Sequence, residues 1–321
     1  MPTRLRPIVT ALLLLLTAAF SFDTVPVDWA MVAKIREEGL QHSRVMDFES
    51  YMTDVLGARL TMSRDMQRGQ AWLQGELTRI GLVSVAAEPY MDYGVTWDNE
   101  YVSLHLVEPD YTPMVGYPIA YTPGTDGRKV AQAVVVDLQV REDLDRYRGT
   151  LRGKAVLVTP PASIDFAPLF NGTPRRTEAE LRALEETVIA PARPTPPRTV
   201  RRPDLLTAAE KLAFYKAEGV VVVLQCESGW IGAVRGYGRP GAREDGWSRA
   251  GMLAAPAVVA VTPEHYNRMY RIIQRGLPVR VAVEVRNAIG ERVEQAANLV
   301  GEIPGTGLKD EVVMIGAHLD T

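Results

Sequence analysis

Five short runs of small and β-branched apolar residues constrain this chain more than any other feature. They occupy residues 133–138, 155–158, 220–224, 257–261 and 279–285. Each is too short for a globular helix and each is bounded by Gly, Pro or polar residues, so each is predicted to be a strand. Two helical segments interrupt them. One opens on a capping box, Thr207 with Glu210, and ends before Gly219. The other has Thr262 as N-cap and Pro263 at its first helical position, and it runs through Tyr266, Met269, Ile272 and Ile273 to Gly276. Pro113, Pro118, Pro123 and Gly124 mark turns ahead of the first run. The pattern predicts a compact β-rich domain over residues 111–287.

The flanking sequence has a different texture. Met31, Val32, Ile35 and Leu40 fall at helical spacing within residues 27–40, and Met46, Phe48, Met52, Val55 and Leu56 repeat it within 45–56. Gly57, Ala58 and Arg59 break that pattern. Ser63 is the expected N-cap of a third helix, with Asp65 in its first turn, an apolar face of Trp72, Leu73, Leu77 and Ile80, and Gly81 as a left-handed terminator. Residues 82–86 and 101–107 then read as two strands. Three helices leading into a sheet predict a layered α/β domain. The end of the chain returns to it. Residues 298–303 form one expected strand, Pro304 to Gly307 a turn, and residues 311–317 a second strand. Val312, Val313, Met314 and Ile315 are continuous in apolar character, which suits a strand buried on both faces. The β-rich domain is therefore expected as an insertion. Within it, residues 165–203, with Pro191, Pro194, Pro196, Pro197 and Pro203 among them, are expected as a surface excursion with one short helix near 177–186. Asn171-Gly172-Thr173 matches a glycosylation sequon.

With 321 residues the chain has room for two ordinary domains. Its net charge of -3, without a long basic or acidic block, gives no case for nucleic-acid binding. The arginines between 193 and 202 are interleaved with prolines and read as an exposed loop. Residues 1–21 have the form of a secretory signal. Arg4 and Arg6 precede an apolar run over 8–19 that is short for a membrane span, and Ala19-Phe20-Ser21 supplies small residues for cleavage. The alternative is an uncleaved anchor. No later segment could span a bilayer, so a secreted or periplasmic location is expected. Cys226 is the only cysteine, which excludes an internal disulfide, and its place after an apolar run marks it as a small core residue.

The candidate chemistry lies at His318 and Asp320, immediately past the expected buried strand. Ligand sites in open α/β sheets lie beyond the carboxyl ends of strands. A histidine there can present a ring nitrogen to a metal while a nearby carboxylate fixes its tautomer. Taken alone, the two residues are a weak signal and more simply describe a polar strand end meeting solvent. His42, His105 and His265 are scattered over a helix end, a strand and a helix start, and read as surface or structural histidines. No G-x-S-x-G, H-E-x-x-H or P-loop pattern is present.

The surroundings of the pair carry a resemblance. The stretch from Asn298-Leu299-Val300-Gly301 through Pro304-Gly305 to Gly316-Ala317-His318-Leu319-Asp320 resembles the hairpin that leads into the zinc site of M28 peptidases. Leu56-Gly57-Ala58-Arg59-Leu60-Thr61 is similar to a segment between helices in that family. Leu151-Arg152-Gly153-Lys154 with the strand after it, and Lys216-Ala217-Glu218-Gly219, look like parts of a protease-associated (PA) domain. The resemblance spans nearly the whole chain after the signal, with its pieces in order. It implies a secreted zinc-dependent exopeptidase that hydrolyses terminal peptide bonds, using two zinc ions, with His318 as first zinc ligand and Asp320 as the catalytic carboxylate that orients it. The implied layout is a signal peptide over 1–21, the N-terminal part of the peptidase domain over 22–110, a PA-like insert over 111–287 and the start of the catalytic core over 288–321. The remaining ligands and the general base would lie beyond residue 321, so this stretch is expected to be an inactive fragment. The long PA-like insert and the segment from Trp97 to Val107 look closest to exopeptidases of the carboxypeptidase Q type. A non-catalytic binding module built on the same architecture is the alternative.

Overall fold

A computed structural model describes residues 27–164, 175–186, 204–226, 231–234, 236–307 and 310–321. The expected signal peptide, the sequon and the arginine-rich loop lie outside these residues. No helix among the described residues is long and apolar enough to cross a membrane. The chain divides into two compact units at Gly57/Ala58.

The described part of the first unit is helical, as its periodicity predicts. Helix α1 spans Trp29–Gln41, and the Asp28 side chain accepts the Met31 N–H at its N-terminus. Helix α2, Val45–Ser50, passes into a π-helical turn over Tyr51–Leu56. The Thr53 hydroxyl donates to the Glu49 carbonyl there, and a side chain that bonds into the ladder in this way loosens the helix locally. Gly57, at φ +70°, ends the segment in the left-handed region that glycine adopts without penalty.

In the second unit, helix α3 spans Arg64–Arg79. Ser63 caps it through the Met66 N–H, and Gly81 terminates it at φ +104°, both as expected. A mixed eight-stranded sheet follows. Its strands are β1 (Val83–Glu108), β2 (Thr112–Pro113), β3 (Gly116–Pro118), β4 (Lys129–Val135), β5 (Ala155–Leu157), β6 (Val222–Gln225), β7 (Ala257–Val261) and β8 (Arg280–Glu302). The order is β2-β1-β8-β4-β5-β6-β7-β3, with β4 to β7 parallel and the other pairings antiparallel. Among the described residues five helices join α3: α4 (Asp143–Tyr147), α5 (Glu178–Glu186), α6 (Ala208–Ala217), α7 (Arg249–Leu253) and α8 (Pro263–Gln274). The α/β class is as predicted.

The parallel strands show why their runs are continuous rather than alternating. Ala155, Leu157, Val222, Leu224, Val259 and Val261 point into one cluster, closed by Tyr266 and Met269 of α8 and by Leu104, Leu106, Val281 and Val283 of the antiparallel pair. Val156, Val223, Val258 and Ala260 point into another, closed by Leu212 and Tyr215 of α6. A strand covered on both faces has no polar side to alternate with. Cys226 is a buried core residue, as expected.

Four strand predictions are corrected. Residues 82–86 and 101–107 belong to a single strand, β1, and residues 279–285 and 298–303 are the two ends of β8. The two strands pair from Val83 opposite Glu302 to Glu108 opposite Arg280. Repeated register shifts carry the ladder through the polar middle, where hydrophobic alternation gives no strand signal. β4 starts four residues earlier than expected because Lys129 to Gln132 pair with β8 before Ala133 turns to β5. The expected strand over 311–317 is absent. Val312, Val313, Met314 and Ile315 are 83–96% exposed, and no ladder partner flanks them among the described residues. An apolar run becomes a strand only where a neighbour takes its backbone N–H and C=O groups.

Helix α6 carries a testable electrostatic feature. Thr207 Oγ1 accepts the Glu210 N–H at 3.0 Å while Glu210 Oε2 accepts the Thr207 N–H at 2.7 Å, the reciprocal pair expected from sequence. The Thr207 N–H and hydroxyl, then Arg141, lower the Glu210 pKa from 4.5 to about 2. A depressed carboxylate stabilises the fold above its unfolded pKa and loses that contribution as pH falls toward its folded value. Glu210→Gln should therefore flatten the pH dependence of the urea midpoint between about 4.5 and 2. An unchanged slope in that window would show that the capping carboxylate does not titrate this way.

Candidate metal-ligand site

The His318–Asp320 pair is held by a segment far from it in sequence. Leu60 packs on a cluster formed by Val95, Trp97, Tyr121, Ala242 and Met252. That cluster is cross-braced: Trp97 Nε1 donates to the Thr122 carbonyl at 2.7 Å, and Arg239 Nε donates to the Tyr121 carbonyl at 3.1 Å. Arg239 Nη2 also meets Asp245 Oδ2 at 2.6 Å. Met62, at φ +69°, turns the chain into the cap of α3. Residues 59–61 are thus anchored below by Leu60 and behind by a helix start.

The other side of that segment grips the chain end. Arg59 is only 5% exposed, and its Nε donates to the Leu319 carbonyl at 2.9 Å. The Arg59 N–H donates to Thr321 Oγ1 at 3.2 Å, and the Thr321 N–H donates to the Arg59 carbonyl at 3.2 Å. The Thr61 hydroxyl meets Asp320 Oδ2 at 3.1 Å, and His318 Nδ1 meets Asp320 Oδ1 at 2.8 Å. The His318 bond, followed by the Thr61 hydroxyl, holds the Asp320 carboxyl below the usual carboxylate range against the opposing effect of partial burial. An ionised carboxylate only accepts, so Thr61 and His318 Nδ1 are the donors. In the neutral ring Nε2 then carries the lone pair. The His318 side chain is 93% exposed and that of Asp320 41%. Burial and the neighbouring Tyr93 hydroxyl push the Tyr121 phenol up, with a smaller contribution from the negative charge of Asp320.

The two predicted site residues are therefore together, but not at the end of a buried strand. What presents them is the 59–61 segment. Arg59 and Thr61 belong to the stretch that carries part of the M28 resemblance, and hydrophobic patterning gives no sign of their role. The other histidines are engaged elsewhere. His42 pairs with Glu38, His105 Nδ1 with the Tyr111 hydroxyl, and His265 Nδ1 with Thr262 Oγ1 and the Val115 N–H. Among the described residues no group of three or more His, Cys, Asp or Glu could hold a metal ion. His318, with its carboxylate partner, fits one ligand position of a zinc centre. A catalytic zinc takes about three protein ligands, so the described residues do not make a complete site.

No family model matches the chain, and no curated protein sequence matches it. Solved structures do. A peptidase M28 precursor from Shewanella amazonensis superposes with a TM-score of 0.51 at 16% identity, over 91% of this chain and 57% of that one. An aminopeptidase from Aneurinibacillus sp. strain AM-1 matches at 0.40 and 13%, over 86% and 52%, and a zinc aminopeptidase from Bacillus subtilis at 0.43 and 12%, over 82% and 47%. The latter two TM-scores are too low to carry weight. The chain spans about half the length of these structures. At 16% identity the likeness is one of fold: the backbone of this chain is similar to that of an M28 peptidase precursor.

Proposed function

We propose that this chain is part of a secreted or periplasmic zinc-dependent exopeptidase of the M28 kind, acting on terminal peptide bonds of peptides. His318 Nε2 serves as one zinc ligand, and Asp320 orients the ring. Residues 111–287 form a PA-like insert, and residues 288–321 open the catalytic core. The remaining ligands and the general base come from outside the described residues, and two zinc ions are expected, as the family resemblance implies. The observation that carries this reading is the hydrogen-bonded series Thr61, Asp320, His318, which leaves an exposed ring nitrogen available to a metal on a fold shared with an M28 peptidase precursor. Zinc in such enzymes polarises the scissile carbonyl and activates water. The residues described here hold and orient one ligand.

The test uses the longest natural protein that carries this chain. It is offered free, N-blocked and C-blocked dipeptides, with and without a chelator. Release of a terminal amino acid that stops on chelation and returns with zinc supports the proposal. Hydrolysis that survives chelation, or no hydrolysis of any member of the panel, removes it in favour of a binding module. The 321-residue chain alone is expected to bind zinc weakly or not stoichiometrically, because it supplies too few ligands. Tight one-to-one binding measured by calorimetry would contradict that.

A further inference from the structure

We infer that Arg59 and Thr61 are positioning residues that set the tautomer of His318. The series runs through the two oxygens of one carboxylate. Thr61 holds Oδ2 and His318 Nδ1 meets Oδ1, so Asp320 cannot rotate about its terminal bond without losing one of them. Arg59 holds the carbonyl of Leu319, the residue between the pair, and the Arg59 backbone exchanges bonds with Thr321 beyond it. Each residue from 319 to 321 is therefore gripped by the 59–61 segment, which Leu60 fastens to a buried cluster.

The arrangement answers a physical difficulty. His318 is almost wholly exposed, and its ring meets the Asp320 carboxylate. A solvated imidazole exchanges freely between its two neutral tautomers, and only the form protonated at Nδ1 offers Nε2 to a metal. A carboxylate fixed on its far side by a hydroxyl removes that freedom. Partners of this outer kind change metal affinity by about 10–100-fold in other proteins. The role as a zinc ligand rests on the proposed function. The tautomer control does not.

The test is nitrogen-15 NMR of the histidine rings in the 321-residue chain, at a pH above their titration. His318 is assigned by its loss in His318→Gln, and near-UV circular dichroism checks that each variant is folded. The parent and Thr61→Ser should show His318 protonated at Nδ1. Thr61→Val, which keeps the shape and removes the donor, should raise the Nε2-protonated fraction about tenfold, the scale of one hydrogen bond to a charged group. Arg59→Gln should shift it in the same direction and remove the exchange protection of the Thr321 amide. If Thr61→Val leaves the tautomer ratio at the parental value, or Thr61→Ser fails to restore it, the inference is overturned. A tautomer shift in a protein that fails the peptidase assay would leave the positioning role standing and remove only its catalytic meaning.

Discussion

His318→Gln is expected to lower chelator-sensitive kcat/KM on the order of 10³-fold in a protein that carries this chain, with little change in stability. The first half follows from what a bound zinc supplies, several kcal/mol of transition-state charge stabilisation, at about 1.4 kcal/mol per tenfold in rate. The second half follows from exposure. The His318 ring is solvated and packs into no buried cluster among the described residues, so its replacement belongs with surface substitutions, worth about 0.5 kcal/mol or less. Asp320→Asn separates the ligand role from the orienting role. It keeps the shape but no longer presents two equivalent accepting oxygens, and a loss of about 10–100-fold is expected. Steady-state kinetics with zinc titration, beside thermal melts, checks both. Parental turnover in His318→Gln would remove the ligand assignment. A melt lowered by more than a few degrees would show that the ring supports the fold instead.

Tyr266→Ala is expected to cost about 4–5 kcal/mol of folding stability. Tyr266 is fully buried in α8, inside the cluster shared by β5, β6, β7 and the β1–β8 pair. Its hydroxyl donates to the Thr159 carbonyl at 2.8 Å and accepts the Thr159 N–H at 3.0 Å, tying the helix to the turn after β5. Burial pushes this phenol up to about 12, so it stays a neutral donor throughout the stable range. Truncation therefore leaves both a cavity and two backbone groups without a partner. Against a usual domain stability of about 5–15 kcal/mol, that brings the fold close to unfolding. Tyr266→Phe keeps the ring and should lose only about 1–3 kcal/mol, the cost of the stranded groups. Urea unfolding of the three proteins separates the contributions. Equal losses for alanine and phenylalanine would show that the ring itself contributes nothing.

Much of the fold was legible because its signals are local. The capping pair Thr207 and Glu210, the serine cap at residue 63, the glycine stop at 81 and the run Ala257–Val261 depend on contacts within a few residues, and each lies where it was expected. The continuous apolar runs of the parallel strands announced double burial for the same reason. The lengths of β1 and β8 were not legible. Their middles are polar, and they are extended because each supplies the other's hydrogen bonds across nearly two hundred residues of chain.

The candidate site divides along the same line. By itself the sequence picked out the candidate residue types, a histidine and a carboxylate two positions apart, and showed that their spacing allows one to orient the other. It also suggested a doubly buried strand in front of them, and there the apolar run misled, since a run states an appetite for burial and not the presence of a partner. Only the tertiary structure decided what holds the pair. Arg59 and Thr61 reach Leu319 and Asp320 across some 260 residues. No local pattern encodes a contact of that separation. It exists because Leu60 is fixed on a buried cluster, and the sheet that builds the cluster closes the chain on itself.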